Sequence, residues 1–256
     1  MESEAAQAQR TLEAVWARLY AEVDGARFER RGDLLFALYP PFPIPQCNGP
    51  WVAEDTQAAA DGLAEAIEEV DASGAWPWVQ TRSGHERTQR AAAELGLTER
   101  ESLPGMVVRP EELAAPSVDG LAIDLIAADE VPTANAVLAA SFGVPKELLS
   151  AISTAFVTLE GASWYVGRVD DEVVATALGI TIDNVTGVFN VATMPDHRGR
   201  GHGAALTARV VQHGFADGAR LAFLQSSRLG HGVYRRLGFR DVEEYTLLTR
   251  PGVAIR

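Results

Sequence analysis

The sequence predicts an α/β (α+β) protein in two related halves, each a mixed, mostly antiparallel sheet flanked by helices. Three observations carry that prediction. Residues 163–193 hold three successive apolar runs of strand length, separated by Asp170-Asp171 and Asp183-Asn184, short polar turns of the kind that join antiparallel neighbours. A strand, helix and strand order follows them toward the end of the chain. A comparable order precedes residue 110, and pieces of it recur later in the sequence.

The elements follow in order. Glu4 to Asp24 reads as a helix, with Leu12, Val15, Trp16 and Leu19 at helical spacing and no interior Gly or Pro. Asp33 to Tyr39 is a short apolar strand. The proline-rich run from Tyr39 to Pro50 reads as an extended loop, because each proline removes a donor and fixes the backbone. Thr56 to Val70 is an amphipathic helix with Leu63, Ile67 and Val70 on one face. Trp76 to Thr81 is a strand, His85 to Leu95 a helix and Gly105 to Arg109 a strand. Pro110 to Gly120 reads as a linker, which divides the chain into domains at 1–115 and 116–256.

Beyond the linker, Leu121 to Ala127 is a strand, and Val131 to Phe142 and Lys146 to Leu159 are helices. Ser163–Val169, Glu172–Ile182 and Val185–Thr193 are the three strands already named. Gly201 to Ala216 is a helix, Arg220 to Gln225 a strand, Gly232 to Leu237 a short helix and Val242 to Thr249 a final strand. The internal match pairs Gly74-Ala75, Val79-Gln80-Thr81, Gly84-His85, Leu95-Gly96-Leu97 and Arg109-Pro110 with Gly218-Ala219, Leu224-Gln225-Ser226, Gly230-His231, Leu237-Gly238-Phe239 and Arg250-Pro251.

Composition bounds the function. With 256 residues, 47% apolar and 22% charged, the chain can fill two domains and is no disordered polymer. The acidic start lacks a signal-peptide pattern, and no run reaches the roughly 20 apolar residues of a membrane helix. A soluble, cytoplasmic protein is the expectation, with no membrane association. Cys47 is the only cysteine, so no internal disulfide forms. The histidines His197, His202, His213 and His231 show no metal-ligand spacing, and no metal is expected. A net charge of −13 disfavours nucleic acid as a partner. The charge is uneven, however: from Gly187 onward there are ten arginines against five acidic residues, a basic segment suited to a small polyphosphate.

The informative stretch runs from Asn190 to Leu206, where a strand ends, a polar loop follows and a helix opens on glycines. Gly199, Gly201 and Gly203 leave the backbone open to a ligand. The first N–H groups of the helix lack internal partners and sit at its positive end, a site for phosphate. Arg198 and Arg200 add charge and forked donors. Alone, this pattern fits a dinucleotide loop or a structural turn as well. A Walker loop is excluded because no Gly-Lys-Ser/Thr follows. A dinucleotide fingerprint is disfavoured because the acidic residue about 20 positions on is missing.

Arg198-x-x-Gly201-x-Gly203 after Val191-Ala192-Thr193-x-Pro195 resembles the coenzyme A signature of the GCN5-related N-acetyltransferase (GNAT) family. The segment from Leu224 to Phe239, with Tyr234 four residues before Gly238-Phe239, is similar to that family's C-terminal signature. The resemblance covers about residues 120–250 and implies the acyl-CoA N-acyltransferase fold with acetyl-CoA as acyl donor. It implies that the backbone of Val191, Ala192 and Thr193 holds the pantetheine arm. It also implies that N–H groups from Arg198, Gly199, Arg200, Gly201, His202, Gly203 and Ala204 cradle the pyrophosphate, with cofactor contact from His202. Tyr234 is the implied general acid; the alternative is that it merely packs under the cofactor.

The strand from Val185 to Asn190 carries no Asp or Glu where family members often place a base. Asp183, just ahead of it, is a weak candidate, since an Asp in a turn is more often a local cap. Asn190 can orient a substrate but cannot accept a proton. The earlier half lacks the motif: the position equivalent to Tyr234 is Ala92, and its helix opens Gln57-Ala58-Ala59-Ala60. It is expected to be a degenerate copy that covers the acceptor or forms a subunit contact, and a homodimer is compatible with it. Trp51, Trp76 and Trp78 form its core or an acceptor-facing wall. The expected function is transfer of an acetyl group to an amine, on a small molecule or an amino terminus. The rival is a coenzyme A-binding regulator without catalysis.

Overall fold

The computed structural model describes residues 2–42 and 47–252. Residues 43–46 of the proline-rich run lie outside them. By internal packing the chain forms two compact units that interleave along the sequence. One comprises residues up to Leu19 and Gly105–Val242; the other comprises Tyr20–Pro104 and residues from Glu243 onward.

The first unit opens with helix α1 (Glu4–Ala21), most of which belongs to it. Glu4 in the first turn of α1 forms ion pairs with Arg109 and Arg240. The sheet of this unit runs β6 (Ala122–Leu125), β7 (Ala162–Val169), β8 (Glu172–Ile182), β9 (Val185–Thr193), β10 (Leu221–Gln225), then the end of β5 (Glu99–Val108). All neighbours are antiparallel except β9 and β10. Helices α4 (Val131–Phe142) and α5 (Lys146–Thr158) precede β7, and α6 (His202–Ala216) and α7 (His231–Arg236) flank β10 in sequence. The core sits between α6 and the sheet: Val174, Ala177, Val188, Leu206, Val210, Val211, Ala222, Leu224 and Phe239 are buried together. α6 approaches the sheet so closely at Gly214 that a Cβ there would overlap the Thr186 hydroxyl on β9.

The second unit has the strand order β1 (Arg27–Arg31), β2 (Leu34–Leu38), β3 (Gly49–Val52), β4 (Trp78–Arg82) and β11 (Arg240–Thr249), whose residues from Glu243 belong here. Helix α2 (Gln57–Ala72) and α3 (Glu86–Glu94) cover it, burying Leu34, Leu63, Ile67, Val79, Ala92, Leu97 and Leu248. Thr56 caps α2 by accepting from the Ala59 N–H.

Four expectations need correction. β1, Arg-Phe-Glu-Arg-Arg, escaped the sequence reading because an edge strand with mostly charged, exposed side chains lacks apolar alternation. Gly49 and Pro50 are strand rather than loop, and Pro50 lies opposite Phe36. β5 begins at Glu99 rather than Gly105, its charged first half and Pro104 having masked it. Of the tryptophans, Trp51 and Trp78 are core, but Trp76 is exposed.

Candidate active site

The site is built where β9 and β10 part. Their parallel pairing runs Leu221 to Val185, Ala222 to Thr186 and Phe223 to Gly187. Beyond that point β10 stays paired with β5, to Gln225 opposite Gly105. β9 keeps its ladder only with β8, to Thr193 opposite Ala175. The register slips between Thr176 and Leu178, and Asn190 takes a left-handed conformation with φ 51°. Such a bulge bends the strand and leaves a wedge beside it.

Backbone direction follows from the ladder. The Met194 N–H donates to the Val174 carbonyl at 2.8 Å, and Ala192 lies opposite Thr176. By alternation, the backbone groups of Val191 and Thr193 point away from β8, into the wedge. The Thr193 carbonyl, however, is already taken: it accepts from the Ser141 hydroxyl at 2.9 Å and from Arg198 Nε at 3.3 Å. Among the described residues, the ladder thus directs both backbone groups of Val191 and the Thr193 N–H toward the wedge.

The chain then makes a tight turn at Pro195–His197 and opens α6 without a side-chain cap. Gly199 and Gly201 are left-handed, with φ of 77° and 86°. A side chain is strained in that region, and these two glycines set the loop that leads into the helix. The first intrahelical bond goes from the Ala205 N–H to the Gly201 carbonyl at 3.0 Å, so the N–H groups of His202, Gly203 and Ala204 precede the helical ladder. Gly203 packs on β9: a Cβ there would lie 3.3 Å from Thr193 Oγ1 and 3.8 Å from Val191 Cγ1. The sequence motif therefore brings the strand end and the helix start together.

Side chains depart from the expectation more than the backbone does. Arg198, though exposed, is held by the backbone, with Nη2 donating to the Ser141 carbonyl at 3.2 Å in addition to its bond to Thr193. Arg200 Nη2 donates to the Asp196 carbonyl at 3.2 Å. Both arginines shape the loop while still placing positive charge on it. His202 is buried, and its Nδ1 finds no partner among the described residues. Burial, then His197 and Arg200, holds its pKa below the ordinary value, so the ring is neutral at pH 7.

Tyr234 lies on α7 and packs against the core of the first unit, its ring 5.9 Å from that of Phe239. Gly230 makes room for it, since a Cβ there would sit 2.7 Å from Tyr234 Cε2. Burial alone pushes the phenol up to about 12. Asp183 is not brought to this place. It sits exposed in the β8–β9 turn with φ 53°, at the opposite end of β9 from Thr193. The nine residues of β9, at about 3.3 Å each, separate the two ends. Ser141, which bonds to both Thr193 and Arg198, escaped sequence reasoning because it lies far from the motif in sequence and belongs to no pattern.

Residues 138–239 match the model of the acetyltransferase (GNAT) family. The same fold recurs in solved structures. A GCN5-related N-acetyltransferase from Kribbella flavida is 24% identical, with a TM-score of 0.71 and 96% of each chain covered. One from Sphaerobacter thermophilus is 19% identical with a TM-score of 0.62, covering 80% of this chain and 74% of that one. A GCN5-related N-acetyltransferase-like protein from Streptococcus suis is 12% identical with a TM-score of 0.62, covering 97% and 100%. No curated protein matches the sequence. The matched GNAT segment contains β9, the glycine loop, α6 and Tyr234.

The second unit offers phosphate a poorer start. Thr56 already fills the end of α2, with Glu54 and Asp55 beside it. The Asp55 carboxylate accepts from the Arg87 and Thr88 N–H groups at the start of α3, at 3.1 and 2.8 Å. Both helix starts are thus met by the chain's own oxygens.

Proposed function

We propose that the chain is an N-acetyltransferase that takes its acetyl group from acetyl-CoA and passes it to an amine by direct attack. The observation that carries this reading is the wedge between β9 and β10, opening toward the uncapped start of α6. A strand edge with free amide groups suits the pantetheine arm, and left-handed glycines before a helix N-terminus suit the pyrophosphate. Acetyl-CoA, when bound, supplies the acyl group activated as a thioester.

The residues of the chain then have separate tasks. The Val191 carbonyl and the Thr193 N–H hold the arm, and the Val191 N–H stabilises the carbonyl oxygen as it gains charge. Gly199 to Ala204 hold the pyrophosphate. Tyr234 is protonated throughout the neutral range and donates toward the departing sulfur. A phenol near 12 binds its proton more tightly than a thiol of ordinary pKa about 8.5, so Tyr234 serves first as a hydrogen-bond donor. No acyl-enzyme is invoked, since Cys47 is buried in the other unit and burial pushes its thiol up to about 12. The acceptor's proton goes to water, because neither β9 nor the turn at Asp183 puts a carboxylate at the wedge.

We also read the two units as copies of one ancestor that exchanged their last strands. Gly105–Val108 of β5 pairs with β10, while the corresponding stretch of β11 pairs with β4. The reading of residues 1–115 as a degenerate copy and 116–256 as the catalytic one rests on this correspondence. The absence of a carboxylate from β9 favours a second reading, a coenzyme A-binding regulator. The test is thiol release from acetyl-CoA across a panel of primary amines, amino acids and peptide amino termini. Amine-dependent release supports the transferase. Binding without release from any amine supports the regulator.

A further inference from the structure

The strongest unassigned feature is the junction of Ser141, Thr193 and Arg198. α4 ends at Gly143, whose N–H, like that of Val144, bonds to the Ala139 carbonyl, at 2.9 and 3.3 Å. The Ser141 carbonyl lies in the last turn and has no partner within the helix. Arg198 Nη2 supplies one at 3.2 Å, placing a cation at the negative end of α4. The Ser141 hydroxyl returns a bond to the Thr193 carbonyl at 2.9 Å, and Arg198 Nε reaches the same oxygen at 3.3 Å. Three bonds thus close a ring through the end of a helix, the end of β9 and the first residue of the glycine loop.

A second contact ties the same helix pair to β9 on the other side of its bulge. Phe156 of α5 stacks on Phe189 with ring centroids 6.3 Å apart, and Phe189 in turn meets Phe223 edge-on at 6.1 Å. The helix pair therefore grips β9 on both sides of Asn190, at Phe189 and at Thr193. Of these two grips, only the one at Thr193 passes through the glycine loop.

We propose that Arg198 is a positioning residue that couples occupancy of the glycine loop to the order of α4–α5. The inference rests on the reading of that loop as the coenzyme A pyrophosphate site. A ligand that fixes the backbone at Arg198 also fixes its guanidinium, and with it the last turn of α4. Coupling is reciprocal: whatever loosens α4 must weaken ligand binding by the same factor. The factor expected for such a coupling is about fivefold to a hundredfold.

The experiment is hydrogen exchange of the full chain with and without coenzyme A. In the wild type, coenzyme A slows exchange in residues 198–204 and also across 131–158. In Arg198→Met, which keeps the stem but loses the donors, protection at 199–204 persists at saturating ligand and protection across 131–158 disappears. Ser141→Ala keeps the guanidinium and loses one bond, so it gives an intermediate result and guards against misfolding of the first variant. Arg198→Lys restores part of the distant protection. A purely structural arginine would speed exchange equally with and without ligand, leaving the difference between the two unchanged. Distant protection that survives Arg198→Met, or that is missing in a wild type whose loop is protected, overturns the coupling alone. An unprotected loop in the wild type overturns the pyrophosphate assignment and the coupling with it.

Discussion

Replacing Gly201 with Ala isolates what the left-handed loop contributes to binding. Gly201 has φ 86°, and an added Cβ would meet Val118 Cγ2 at 3.2 Å, a contact that a small rotation of Val118 can relieve. The dominant cost is conformational, about 1–2 kcal/mol for an L-residue held in this region. A chain that escapes this strain by moving its loop must restore the loop to bind. The dissociation constant for coenzyme A should then rise by roughly 5- to 30-fold, at about 1.4 kcal/mol per factor of ten. Gly199→Ala is the matched control, with φ 77° and open space around its Cβ, so it should show the conformational part without the contact. Titration calorimetry of wild type and both variants reads the effect directly. Affinities unchanged within twofold in both variants would refute the claim that these backbone conformations prepare the site.

Tyr234→Phe should lower turnover by about 100-fold, the lower range for a positioned proton donor, while leaving coenzyme A affinity within threefold. With its phenol near 12, Tyr234 should give no fall in kcat up to pH 10, so a basic limb that vanishes in the Phe variant would contradict the placement. His202, whose folded pKa is depressed, favours the neutral form, so its contribution is present above about 6.5 and lost as pH falls through the folded value. The drop in Tm between pH 7.5 and 5.5 should therefore shrink in His202→Gln, and an unchanged drop would remove that contribution. Gly214→Ala should cost about 1–3 kcal/mol by forcing α6 off Thr186, and Thr186→Ala in the same chain should recover much of it by thermal melts.

How much of this was legible in the sequence depends on what kind of signal each part leaves. β8 and β9 fall on the residues read from the sequence, because buried strands with polar two-residue turns state both their period and their ends, and α4 does so between Val131-Pro132 and Gly143. β1 was illegible because its charged, exposed side chains protect an edge and so hide the strand. The glycine loop was legible because left-handed backbone demands glycine at particular positions, and two of the three motif glycines have positive φ. Side-chain direction was not. In sequence Arg198 reads as a phosphate ligand, but its guanidinium lies on two carbonyls, and a partner 57 residues away leaves no local trace. The interleaving of the units was equally hidden, since the residues that close each unit lie far from the rest of it in sequence.

The most direct test of the central claim is calorimetric titration of the intact protein with acetyl-CoA. The account predicts saturable binding at one site per chain, abolished in Gly201→Glu, where a carboxylate enters the loop proposed to hold the pyrophosphate. No binding by the wild type, or equal binding by the Glu variant, would contradict it.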